Sequence, residues 1–94
     1  MIVVRNTFVA KPGCASRLAA QFKEAVAVAR MARARVLTDL TGHFNTVVLE
    51  YDADNLQAFE ATMRQYESDQ AFRDKMKGYT DLYLTGQREI FKVA

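Results

Sequence analysis

Val36-Leu37-Thr38-Asp39-Leu40-Thr41-Gly42-His43-Phe44-Asn45-Thr46-Val47-Val48-Leu49-Glu50-Tyr51 is the stretch whose reading decides the fold. Val36–Thr41 and Asn45–Tyr51 are short runs rich in β-branched, leucine and aromatic residues, and Gly42-His43-Phe44 separates them. Two strand-like runs around a short Gly-containing connection predict an antiparallel hairpin.

On the N-terminal side of this hairpin the period changes. Between about residues 13 and 30, Leu18, Phe22, Val26 and Ala29 recur at helical spacing, with Arg17, Gln21 and Glu24 on the other side. This is an amphipathic helix with a small apolar face. Before it, Ile2–Val9 reads as a strand closed by Lys11-Pro12-Gly13.

On the C-terminal side, Asp52 or Asp54 is placed to cap a second helix, and Gln57 stands three residues after Asp54, as in a capping box. Leu56, Phe59, Met63 and Tyr66 form one stripe. Ser68 looks like another N-cap, with Asp69 in the following turn, so the helical region is expected to break near Glu67–Ser68. Phe72, Met76 and Tyr79 continue an apolar face to about Gly78, and Gln87–Val93 is the last strand.

The order is therefore strand, helix, strand, strand, helix, strand. It predicts an α+β, ferredoxin-like βαββαβ sandwich: a four-stranded antiparallel sheet in the order 4-1-3-2 with the helices on one face. At 94 residues, with no linker or repeat, residues 1–94 make a single domain.

The two strands expected at the centre do not alternate. Val3 adjoins Val4, and Val47, Val48 and Leu49 are consecutive. Neighbouring strand residues point to opposite faces, so both faces carry apolar side chains while the helices cover only one. A domain of this length also buries only about 60–65% of its unfolded surface. Both considerations predict a homodimer that packs sheet face against sheet face.

Thirteen basic and eleven acidic residues leave a net charge of +2, which excludes a polycationic arm or an acidic tail. Charge is uneven. Residues 1–47 hold seven basic and two acidic side chains, and residues 48–94 hold six basic and nine acidic. Two halves of opposite potential packed on each other, or on a partner copy, explain this more simply than a polyanion patch at residues 30–35. Half the residues are apolar, enough for a core. No apolar run approaches the ~18–20 residues of a membrane helix. The start, MIVVRNTFV, reads as a strand and lacks a signal-peptide layout, so a cytoplasmic protein with no membrane partner is expected.

VVRNTFVAKPG (residues 3–13), TGHFNTVVLEYD (41–52), SDQAFRDKMKGY (68–79) and REIFKV (88–93) together resemble the dimeric α+β barrel superfamily, nearest to NIPSNAP-type and antibiotic-biosynthesis-monooxygenase-type domains. The likeness spans nearly the whole chain, and its motifs are structural, so it speaks for fold before function. Proteins of this group include cofactor-free monooxygenases, haem-degrading enzymes, isomerases and many of unknown role. Haem-degrading members resemble this chain in an Asn late in the first strand, where Asn6 stands. They also use a Trp and a haem-ligating His on the second helical region. This chain has no Trp, its one His lies in the hairpin, and Tyr66, Lys77 and Tyr79 occupy that helical region. The resemblance therefore implies no haem, and no other cofactor is expected.

The residue list limits the chemistry further. One His and one Cys cannot build a zinc site, and no Gly-rich phosphate loop exists. The only serines, Ser16 and Ser68, sit near helix starts, which argues against a hydrolytic triad. Cys14 excludes a disulfide within the chain and falls at the start of the first helix, with Lys11 near it. RNA-recognition motifs share the element order, but Asn45–Tyr51 lacks their basic and aromatic signature, so no nucleic-acid partner is expected.

What remains is an apolar pocket with a few polar groups, of the kind this fold leaves between sheet and helices. Arg5, Asn6, Thr7, Thr38, Asp39 and Thr46 are the polar strand residues available to it or to the barrel interior, and Tyr66, Tyr79 and Tyr83 supply hydroxyls. Asn6, Tyr79 and His43 are the catalytic candidates, with Asp39 two residues before Thr41 as a group to orient His43. Tyr66, Asp39 and Thr38 are the candidate pocket residues. The function expected is binding of a small apolar or aromatic molecule, extending to cofactor-independent monooxygenase-like or isomerase-like activity on a phenolic substrate shielded from water. The competing expectation is a non-catalytic structural or regulatory dimer.

Overall fold

Ile2, Val3, Val4, Thr7 and Val9 make the first nine-residue run a strand, β1 (Ile2–Ala10). The computed structural model describes residues 1–31 and 33–94, and Ala32, within the basic stretch 30–35, lies outside the described residues. After β1 come α1 (Ala15–Ala29), β2 (Arg35–Thr38), β3 (Thr46–Ala53), α2 (Leu56–Ser68), α3 (Gln70–Met76), a 3-10 turn at Tyr79–Asp81 and β4 (Tyr83–Lys92). The sheet is antiparallel throughout, in the order β2-β3-β1-β4, which is the expected 4-1-3-2.

Several boundaries differ from the sequence reading, each for a local reason. β2 stops at Thr38 rather than Thr41, because Asp39 turns the chain: its Oδ1 accepts from the Thr46 N–H at 3.0 Å. The connection then runs through Gly42 and Asn45, both at positive φ. The cap of α2 is Asn55, not Asp52 or Asp54, with Oδ1 accepting from the Ala58 N–H at 2.8 Å. The cap of α3 is Asp69 rather than Ser68. Ser68 still belongs to α2, and its hydroxyl donates back to the carbonyls of Arg64 and Gln65. β4 begins at Tyr83 instead of Gln87, and its pairing with β1 shifts register between Val9 and Ala10, which hides the alternation there.

The inward phase of the central strands (Val4, Val47, Leu49, Tyr51) meets Leu18 and Phe22 of α1, and Val4, Leu18, Phe22 and Val47 are fully buried. Each such side chain contributes about 1.5–3 kcal/mol of transfer free energy. α2 and α3 pack differently. Phe59 is buried, Met63 and Tyr66 are half-buried, Leu56 in the first turn of α2 is exposed, and α3 buries none of its residues. These two helices stand off the sheet instead of closing on it.

Among the described residues no helix covers the outward phase. Val3, Val9, Leu37, Val48 and Phe91 point there, with Leu37 and Phe91 about 40% exposed (39% and 42%). Across this face, perpendicular to the strands, the register aligns Arg35, Glu50, Arg5 and Glu89 in a row of alternating charge.

Candidate functional site: a chamber between sheet and helices

Asn6 breaks the apolar inward phase of β1, lying between Val4 and Phe8, and it is only 7% exposed. A buried amide needs partners. Asn6 Nδ2 donates to the Leu49 carbonyl at 3.5 Å, and Asn6 Oδ1 accepts from Arg88 Nε at 2.7 Å. Arg88 stands directly across the β1–β4 ladder, and its guanidinium lies 5.3 Å from the Phe59 ring centre.

Asn6 and Arg88 form the polar part of a chamber of about 150 Å³. Its other walls are apolar or phenolic: Phe8, Phe22 and Leu49 from the core, Tyr51 and Met63, and Tyr66, Phe72, Met76 and Tyr79 from the helical side. Met63, Tyr66, Phe72, Met76 and Tyr79 also line a larger cleft of about 850 Å³ between α2 and α3, whose remaining lining residues, Glu67, Gln70, Arg73, Asp74 and Lys77, are polar or charged. Tyr66 stacks on Phe72 (ring centres 5.1 Å apart, 27° between planes). Tyr79 contacts Phe22 at 6.0 Å and Tyr83 at 5.8 Å. The Tyr51 hydroxyl donates to the Met63 sulfur at 3.6 Å.

Burial pushes the Tyr51, Tyr66 and Tyr79 phenols above their ordinary value. For Tyr66 the Asp69 carboxylate adds to the rise, while for Tyr51 and Tyr79 the Arg88 charge opposes it. All three are therefore neutral hydroxyl groups at ordinary pH, able to donate as well as accept.

Asn6, Tyr66 and Tyr79 thus meet in one place. His43, Asp39 and Thr38 do not join them. These three line a different concavity, of about 550 Å³, at the hairpin end of the sheet, together with Thr7, Val48 and Gln87. Asp39 Oδ1 accepts from the Thr46 N–H, no hydrogen bond joins Asp39 to His43 among the described residues, and His43 is exposed on the loop. Arg5, Thr7 and Thr46 lie on the outward face, because strand alternation opposes them to Asn6, Phe8 and Val47. Cys14 is the half-buried residue that precedes α1, and it makes no capping hydrogen bond. Among the described residues no group of three or more His, Cys, Asp or Glu converges on a metal-sized site.

Arg88 and Tyr51 were absent from the sequence candidates. Arg88 carried a signal: with Gly86 and Ile90 it belongs to the inward phase of β4, where a charge is unusual. That phase shows only once the strand start and the partner strand are known.

No protein-family model and no curated protein matches the chain. Solved structures do. An uncharacterized NIPSNAP domain protein from Burkholderia xenovorans superposes with a TM-score of 0.87 at 18% identity, covering 100% of this chain and 95% of that one. A NIPSNAP family protein from Agrobacterium tumefaciens gives 0.86 at 11%, covering 99% and 92%. A protein from Chloroflexus aurantiacus named for antibiotic biosynthesis monooxygenases gives 0.75 at 15%, covering 99% and 93%. At such identities the likeness speaks of backbone alone, and the chain has the ferredoxin-like fold of the NIPSNAP domain proteins and of that monooxygenase-named relative in fold.

Proposed function

We propose that this protein is a small-molecule-binding homodimer of the cytoplasm whose ligand is an aromatic or apolar molecule held in the sheet–helix chamber. The observation that carries the binding reading is the polar pair Asn6–Arg88 set among apolar and phenolic walls. A few convergent polar groups in an otherwise apolar recess are the common make-up of a ligand site. Support for the dimer comes from the outward sheet face, where apolar side chains flank a row of alternating charge that a two-fold-related copy would complement.

The enzymatic form of this reading is a cofactor-independent, monooxygenase-like or isomerase-like reaction in which Asn6 and Tyr79 orient a phenolic substrate. A purely binding or regulatory dimer is favoured by a different feature: among the described residues no His, Cys or carboxylate lines the chamber, so these offer no ordinary general base. Native mass spectrometry of the freshly purified protein tests the proposal. A dimer with a small-molecule adduct supports it, and a dimer with no adduct shifts the weight to the regulatory form. A clean monomer refutes the dimer.

A further inference from the structure

We propose that the chamber selects aromatic molecules that carry a carboxylate, and that Arg88 is the residue that reads the anion. This rests on the reading of the chamber as a small-molecule site and adds the chemical class of its ligand.

Among the described residues that line the chamber, Arg88 is the one charged side chain. The ion pairs found among the described residues are made by Arg5, Arg33, Arg35 and Lys75, and Arg88 takes part in none of them. Its Nε is committed to Asn6 Oδ1 at 2.7 Å, and Phe59 lies against the guanidinium at 5.3 Å. Those two contacts fix the plane of the fork. They leave its far edge, Nη1 and Nη2, without a carboxylate partner among the described residues. Two parallel N–H donors on a fixed plane match the two oxygens of a carboxylate.

The surroundings suit the remainder of such a ligand. A recess of about 150 Å³ is the size that accepts a single six-membered ring. Its aromatic walls give edge and face contacts to that ring. Arg88 is exposed along the edge strand, so the carboxylate stays at the boundary with water while the ring is desolvated. An anion there keeps part of its hydration and meets a guanidinium whose field the apolar walls screen weakly. Neutral phenols around the site do not repel it.

The test is isothermal titration of the full chain with benzoate and with benzamide, which share the ring and differ in charge. Benzoate is expected to bind about tenfold or more tightly than benzamide, the size of a charge-assisted pair over a neutral one. Arg88→Met keeps the apolar stem and is expected to abolish that preference. Arg88→Lys keeps the charge without the fork and is expected to retain part of it. Rising ionic strength is expected to weaken benzoate binding to the unaltered protein and to spare benzamide, a readout that does not depend on any variant folding. Equal affinity for the two ligands, or a benzoate preference that survives Arg88→Met, overturns the assignment while leaving the chamber as a neutral aromatic site. Failure of both ligands to bind removes the chamber reading and this inference with it.

Discussion

Arg88 on β4 donates its Nε hydrogen bond to Asn6 Oδ1 on β1, 82 residues away in sequence and 2.7 Å away in space. This bond joins an edge strand to a central one through a buried amide, and it is also what sets the guanidinium in the chamber. Asn6→Ala is expected to lower stability by about 1–2 kcal/mol, since it removes one charge-assisted bond and one weaker bond. Urea denaturation followed by circular dichroism measures this. If the chamber is the ligand site, the same substitution reduces affinity for any adduct found by native mass spectrometry, and unchanged affinity would withdraw Asn6 from the site.

Glu50 holds Arg5 at 3.4 Å and Arg35 at 3.2 Å on the outward face, and it is 6% exposed. Burial pushes its carboxyl up, but the hydrogen bonds and charges of the two arginines outweigh burial and hold it below its ordinary value of 4.5. A carboxylate depressed in the folded state stabilises the fold above its unfolded value, and that stabilisation is lost as pH falls through the folded value. Stability should therefore decline from about pH 4.5 downward. Glu50→Gln is expected to cost about 1 kcal/mol near neutrality and to flatten this acid limb. Thermal melts of both proteins across the acid range decide it.

Gly86 faces Phe8 across the β1–β4 pair, and a Cβ built on it would lie 2.9 Å from a ring carbon. The ring cannot yield easily, because Phe22 and Tyr83 pack on it with ring centres 5.0 and 4.9 Å away. Gly86→Ala is expected to destabilise by about 1–3 kcal/mol through overpacking. The double variant Gly86→Ala with Phe8→Leu should recover part of that loss, which a double-mutant cycle measures.

Gln21 on α1 donates through Nε2 to the carbonyls of Lys75 and Lys77, each at 2.8 Å. It thereby caps the end of α3, a helix that buries none of its own residues yet supplies Phe72 and Met76 to the chamber. Gln21→Ala is expected to speed amide exchange over residues 70–78 while changing global stability by less than about 1 kcal/mol. Equal protection of that segment in both proteins would show that packing alone holds α3.

Val48 lies on the outward face, opposite Thr7 and Leu37. If two copies meet there, Val48→Lys places a charge in the dry part of the contact. The expected result is a folded monomer by light scattering beside a wild-type dimer. A Val48→Lys dimer would move the interface elsewhere.

The element order was legible because it depends on local periodicity. Leu18 and Phe22 repeat at helical spacing, and the runs around Gly42 are β-rich, whatever the remainder of the chain does. The consecutive apolar residues Val47-Val48-Leu49 also announced a two-sided central strand, and β3 is central. Caps were less legible. Asp52, Asp54 and Asn55 are equally good capping residues by type, and the hydrogen bond to Ala58 singles out Asn55.

The sequence by itself determined which segments become strands and helices, the antiparallel hairpin, and the excess of apolar side chains over what two helices can cover. All of these follow from side-chain character at fixed local spacing. Only the tertiary structure decided that Asn6 meets Arg88, that Tyr66 and Tyr79 share their chamber, and that His43, Asp39 and Thr38 fall at a separate concavity on the hairpin. The physical reason is register. Strand alternation assigns a side chain to one face or the other only after its pairing is known, and the β1–β4 pairing spans almost the whole chain, with a shift at Val9 and Ala10.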